Sequence, residues 1–291
     1  MQATVKTVLE FRGRALHSGA PAMLRIRPYP AHLGIWFKRT DLKDRDPLIP
    51  ARWDAVVDTR LCTVLANRDG ASVSTVEHVM AALAAFGIDN ALVEVDGPEV
   101  PILDGSSAPY ARALARSGAA PQDGERQVLR ILKPVEASDG ERLARLEPAS
   151  RFEVDFAIDF ADPAIGAQRL RSAPTPGTFL SELADCRTFC MAAEIEAMRQ
   201  AGLARGGSLD NAVVVDDGRV LNPEGLRRPD EFVRHKTLDA IGDLGLAPAP
   251  ILGRYVGRRS GHEMTNRVLR ARAARPDAWR IEAAEPARVA A

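Results

Sequence analysis

The 291-residue sequence predicts an α+β protein made of two strand-plus-helix halves, and three observations carry that expectation. A hydrophobic content of 46% over this length suffices for more than one domain of roughly 100–200 residues. Short alternating apolar–polar runs, the signature of half-buried strands, precede helix-period runs in both halves. The stretch Gly118 to Glu125, rich in Gly, Ala, Pro, Gln and Asp, breaks the pattern where a linker would fall and divides the chain into 1–125 and 126–291.

In the first half, alternation in Met23-Leu-Arg-Ile-Arg and Ala71-Ser-Val-Ser-Thr predicts strands, and Val76 to Phe86 predicts a helix that Gly87 stops. A strand over Asn90 to Asp96 and a helix over Ala108 to Ser117 follow, with turns at Gly97-Pro and Asp104-Gly-Ser-Ser. In the second half, Gln127 to Leu132 and Phe152 to Phe160 alternate as strands. Helices are expected from Pro229 to about Leu244 and from His262 to about Ala274, with a strand over Ile251 to Val256 between them. The halves echo each other as a duplicated α/β unit would, although their residues do not align convincingly.

Composition narrows function. Lys plus Arg and Asp plus Glu each number 39, so the chain lacks the cationic excess that binding to a phosphate backbone requires, and nucleic acid is not an expected partner. Three cysteines, Cys62, Cys186 and Cys190, are too few for a disulfide scaffold and favour a reducing compartment, the cytoplasm by default. The N-terminus has no apolar signal core and no stretch of about 18 apolar residues occurs, so neither export nor a transmembrane segment is expected. A monomer is the expected state.

The histidines locate the chemistry. Ser74-Thr-Val-Glu77 fits a capping box, with Ser74 as N-cap and Glu77 reaching back, and on that reading Glu77 is structural. His78, however, lies off the core stripe of Val76, Val79, Met80, Leu83 and Phe86, on a face of small residues, Ala81, Ala82 and Ala85, which would admit another element closely. In the later helix His235 and Asp239 stand at i and i+4, and Asp243 extends the same face. A solvated face with local His–Asp pairing is the plain reading. Gly242 in the helix interior costs about 1 kcal/mol relative to alanine, which makes sense if something approaches that face. His78, His235 and Asp239 would make a two-imidazole, one-carboxylate set of the kind that catalytic zinc uses, with Glu77 beside a zinc-bound water as general base. His262 reads either as a surface histidine near a helix start or, protonated and oriented by a carboxylate such as Asp243, as an electrophile or acid.

These residues sit in a set of longer motifs: Leu16-His-Ser-Gly19, Ser74-Thr-Val-Glu-His78, Glu99 to Ser106, Arg187-Thr-Phe189, Gly206 to Asn211, Asp230 to Leu244 and Ser260 to Asn266. With them the sequence resembles the UDP-3-O-acyl-N-acetylglucosamine deacetylases, zinc amidases at the committed step of lipid A biosynthesis. The resemblance implies two tandem two-layer α/β sandwich domains facing each other across an active-site cleft, and hydrolysis of the 2-acetamido group of UDP-3-O-acyl-N-acetylglucosamine to the amine and acetate. It implies His78, His235 and Asp239 as ligands of zinc, which ferrous iron could replace, Glu77 as general base, His262 as acid and Asp243 as its orienting partner. Thr188 and Lys236 would contact the tetrahedral intermediate and the substrate. Phe160 would stack on uracil, Arg142 would contact phosphate, and Phe189 would line the substrate site. An insertion at about 190–217, with Ile195, Met198 and Leu203, would shape a passage for the acyl chain. Three positions depart from the family pattern: Ala15 in Gly13-Arg-Ala-Leu-His17, Cys190 and Arg259. A related amidase with another nucleotide-sugar substrate, or a non-catalytic nucleotide-sugar-binding paralogue, are the alternatives.

Overall fold

The computed structural model describes residues 1–285; the Ala-rich tail beyond Glu285 lies outside the described residues. Each half is built on a five-stranded sheet with one buried face. In the first half the strands run in the spatial order Leu9–Arg14, Pro21–Pro28, Ala91–Val95, Ile35–Arg39, Leu48–Pro50. In the second the order is Val135–Asp139, Arg142–Glu147, Arg254–Arg258, Glu153–Asp159, Ala167–Ser172. Two hairpins thus flank a late strand that enters between them, parallel to one neighbour and antiparallel to the other in both sheets. The echo between the halves is therefore a shared topology, and the fold is α+β as expected.

The helices are α1 (Glu77–Ala85), α2 (Ala108–Ser117), the single turn α3 (Pro176–Thr178), α4 (Ala192–Gln200), α5 (Glu231–Leu244) and α6 (His262–Ala273). In each half one long helix comes directly before the late central strand segment and one follows it, so α1 corresponds to α5 and α2 to α6, while α3 and α4 are additional to the second half. Alternation explains the sheets: Leu24, Ile26, Phe37, Val93 and Val95 point inward in the first half, and Ala144, Leu146, Val154, Phe156 and Tyr255 in the second. Among the described residues no helix is long and apolar enough to cross a membrane.

Two expectations need correction. The stretch 118–125 is not a free linker: Ala119–Gln122 forms a strand antiparallel to Gln2–Val5, tying the end of the first half to its own beginning. Ser74 does not cap α1. Thr75 adopts φ +62°, a left-handed conformation uncommon for a non-glycine residue, and the helix begins only at Glu77. The Ser74 hydroxyl donates instead to the Pro98 carbonyl.

The two equivalent helices α1 and α5 pack on each other, and Gly242 is the reason they can. A Cβ at Gly242 would lie 2.0 Å from the Glu77 carbonyl oxygen and 3.1 Å from the Ala81 amide nitrogen. Ala81, on the small face of α1 seen in the sequence, lies at this contact. Gly242→Ala tests this contact. Helix propensity alone would make alanine about 1 kcal/mol more stable, whereas overpacking costs about 1–3 kcal/mol or more. The expected outcome is a lower melting temperature and impaired metal binding; a raised melting temperature would show that the helices do not need this approach.

Candidate metal and catalytic site

The α1–α5 contact places three donor atoms together. His78 comes from the first turn of α1, and His235 and Asp239 from successive turns of α5. His78 Nε2 lies 3.6 Å and His235 Nε2 3.4 Å from Asp239 Oδ1. Ligands held about 2.0–2.1 Å from a tetrahedral ion stand about 3.3–3.4 Å apart. The set therefore fits a divalent metal. A second sign is Asp239 Oδ1 itself, buried and without a hydrogen-bond partner among the described residues.

The surroundings fix two of the donors, His235 and Asp239. His235 Nδ1–H donates to the Cys186 carbonyl at 3.0 Å, which turns Nε2 toward the cluster. Burial pulls the His235 pKa down to about 3 despite Asp239, so this imidazole is neutral, as a ligand must be. Burial would raise the Asp239 pKa, but the neighbouring imidazoles and the Lys236 ammonium overcome it and hold the carboxyl well below its usual range. Lys236 Nζ donates to Asp239 Oδ2 at 2.7 Å, so that oxygen is occupied while Oδ1 is free to ligate. The solvated reading of this helix face is overturned, since His235, Asp239 and Asp243 are all buried.

Two proton-carrying groups flank the cluster. Glu77 is 4% exposed, and burial raises its pKa against the opposing pull of His262 and His78, the direction a general base requires. Its carboxylate accepts from the Thr63 amide at 3.0 Å and does not reach back to a cap. Opposite, His262 Nδ1–H donates to Asp243 Oδ2 at 2.8 Å. Burial would lower the His262 pKa, but the charge and hydrogen bond of Asp243 outweigh it and raise it to about 9. His262 is therefore a buried cation at neutral pH, and the surface-histidine reading fails.

A cavity of about 270 Å³ opens over these groups. Its lining brings together Glu77, His78, His235, Asp239, His262, Lys236, Thr188, Phe160 and Phe189. Phe160 and Phe189 meet edge to face with centroids 5.5 Å apart. Asp243 sits behind His262. Arg142 is not brought in: it pairs with Asp139 and, at 2.9 Å, with Glu263, outside the lining. The segment 190–217 contributes Cys190, Met191 and Glu194 to the lining, while Ile195, Met198 and Leu203 are half-buried elsewhere on it.

Several contributors carried no signal in the sequence beyond membership of a motif. Arg187, 1% exposed, donates to Glu231 at the start of α5 through Nε at 2.9 Å and also pairs with Glu224, which anchors the Arg187-Thr-Phe189 segment beside the site. Glu99 accepts from the backbone of His17 at 2.9 Å and from the Thr75 hydroxyl at 3.1 Å, holding Thr75 in its strained conformation. Gly105 lies so close to Asn211 that a Cβ would come within 1.9 Å of its carbonyl oxygen, and the Gly105 carbonyl receives the Thr188 amide at 2.8 Å.

The model of the UDP-3-O-acyl N-acetylglycosamine deacetylase family matches residues 2–273. A UDP-3-O-acyl-N-acetylglucosamine deacetylase of Phenylobacterium zucineum (strain HLK1) is 53% identical over 280 residues, 96% of this chain and 96% of that one. Proteins of the same name from Anaeromyxobacter sp. (strain Fw109-5) and Shewanella pealeana are 51% and 45% identical, over 96% of this chain and 91% and 92% of theirs.

Removing Asp239 tests the donor set. Asp239→Ala, purified and analysed for metal, should fall from about one ion per chain to near none. Full stoichiometry in the variant would mean that the ligands lie elsewhere.

Proposed function

Because the chain belongs to the UDP-3-O-acyl-N-acetylglucosamine deacetylase family, we propose that its buried His78–His235–Asp239 cluster holds zinc and that Glu77 and His262 carry the protons of the reaction. The protein is an amidohydrolase: it deacetylates UDP-3-O-acyl-N-acetylglucosamine, a step of lipid A biosynthesis. The observation that carries the proposed roles is that an orphaned carboxylate oxygen and two imidazoles converge between a buried carboxyl and a buried imidazolium. The two-nitrogen, one-oxygen set suits zinc, and ferrous iron would also be accommodated.

A metal held there supplies Lewis acidity to the amide carbonyl and makes a coordinated water a better nucleophile near neutral pH. Glu77 takes the proton from the water as its oxygen bonds to the acetamido carbon. Lys236 and Thr188, both on the cavity wall, donate to the oxygen on which negative charge develops. His262 gives its Nε2 proton to the glucosamine nitrogen as the C–N bond breaks, and Asp243 stabilises the charge until it leaves. Acetic acid and the amine result; the acid's proton passes to the amine or to solvent to leave acetate, and the proton taken by Glu77 is available to restore His262.

Phe160 and Phe189 form an aromatic wall suited to uracil stacking, and Cys190, Met191 and Leu16 offer apolar surface to the acyl chain. Arg142 would reach a phosphate only by leaving Glu263. We further propose that the chain divides between 125 and 126, works as a monomer and acts in the cytoplasm.

Turnover of UDP-3-O-acyl-N-acetylglucosamine should vanish on chelation and return with zinc, with metal content measured on the same sample; metal-replete protein without turnover would refute the proposed roles. Glu77→Ala should retain its metal while kcat falls about a hundredfold to ten-thousandfold. Loss of metal instead would make Glu77 structural. The acid must be protonated, so kcat/KM should fall as pH rises through the His262 pKa of about 9. His262→Ala should lower activity and abolish that alkaline limb; a limb that persists would assign it to another group.

A further inference from the structure

Thr63 is buried, 2% exposed, in the loop that leads into the strand Val64–Ala66, and no step described so far uses its hydroxyl. Its amide donates to Glu77 Oε2 at 3.0 Å. Its hydroxyl Oγ1 donates to Asp243 Oδ1 at 2.6 Å. The other Asp243 oxygen, Oδ2, receives His262 Nδ1–H at 2.8 Å. A single residue is thus bonded to the carboxyl that accepts the first proton and, through one intermediary, to the imidazole that delivers the second.

We propose that Thr63 is a positioning residue that sets the proton acceptor and the proton donor in register across the cleft. The proposal rests on the roles given above to Glu77, Asp243 and His262. Glu77 belongs to the first half, whereas Asp243 and His262 belong to the second. Thr63, from the first half, is bonded to both sides. With Oε2 held by the Thr63 amide, Glu77 presents Oε1 to the water. With Oδ1 held by the hydroxyl, Asp243 cannot rotate about its terminal torsion, so Oδ2 stays aligned with His262 Nδ1 and the proton stays on Nε2, facing the leaving nitrogen. A hydroxyl-to-carboxylate bond of this length is charge-assisted and directional. Its loss leaves a buried carboxylate oxygen unpaired, and Asp243 is then free to turn.

The test uses the full-length metal-loaded enzyme. Thr63→Val keeps the side-chain shape and removes only the hydroxyl, since the backbone amide to Glu77 survives. The expected result is a kcat lowered about tenfold to a hundredfold, the range over which such supporting bonds act, with KM, metal content and far-UV circular dichroism close to those of the parent. Thr63→Ser, which restores the hydroxyl, should recover most of that loss. In an Asp243→Ala background the valine substitution should cause no further fall, because its route to His262 is already cut. Should valine not fold, Thr63→Ala makes the same comparison without the second branch methyl.

Parent-like kcat in Thr63→Val, a loss that serine fails to recover, or losses that multiply with those of Asp243→Ala would each overturn the proposal. Its failure is distinguishable from failure of the reading beneath it. An Asp243→Ala enzyme with unchanged kcat would refute the Asp243–His262 pairing itself, whereas a crippled Asp243→Ala beside a fully active Thr63→Val would refute only the part given to Thr63.

Discussion

The close crossing of α1 and α5 is the constraint on which the site depends. The metal donors belong to different halves of the chain, separated by more than a hundred and fifty positions, and no local turn could hold them within a few ångströms. A backbone approach at Gly242 does, because the Glu77 carbonyl occupies the space a side chain would fill. The same contact that brings His78 toward His235 and Asp239 also sets Glu77 beside them. Helix propensity argues against glycine there. At this position packing geometry, not local preference, decides.

Burying this much charge is costly unless each group is matched, and the site shows how the matching leaves reactivity intact. Asp239 is held ionised by Lys236 on one oxygen, while the other has no partner among the described residues. His262 is held protonated by Asp243, whose second oxygen is closed by Thr63. Glu77 is the exception, with burial raising its pKa and one backbone amide as its bond. The unfilled capacities, Asp239 Oδ1 and the Glu77 carboxyl, are those a metal and a water would use. In a site meant only for stability these would be closed as well.

The sequence was most legible where a periodic pattern and a short-range rule agreed. The helix over Ala108–Ser117 matches its predicted bounds, and the face relation of His235, Asp239 and Asp243 follows from helical spacing alone. The capping-box reading of Ser74 to Glu77 failed because the rule presumes ordinary backbone before the helix. Thr75, clamped by Glu99 in a left-handed conformation, shifts the helix start beyond Ser74. The linker reading failed for a related reason: Ala119–Gln122 has loop-like composition, yet pairing with Gln2–Val5 satisfies its backbone. The insertion of the late strand between two hairpins was not legible, since strand order is a non-local property that alternation does not encode. Nor were the roles of Thr63 and Arg187, polar residues of sequence motifs whose hydrogen-bond partners are set only by folding.

The crossing of α1 with α5 is joined by further contacts between the halves, and α6 supplies several of them. Asn266 Nδ2 donates to the Trp53 carbonyl at 2.9 Å, and Arg270 Nη2 to that of Val56 at 3.2 Å, both in the first half. Arg272 lies between two indoles, 5.6 Å from the Trp53 ring centroid and 4.8 Å from that of Trp279, so its buried guanidinium bridges the halves through ring faces. These three side chains all belong to α6, the helix that begins with His262. The crossing of α1 with α5 fixes the metal donors, the seating of α6 on Trp53 fixes the acid, and the Thr63 bridge references both to the base. Together these contacts tie the two halves at the metal donors, the acid and the base, which is what a reaction that moves protons on both sides of one amide requires.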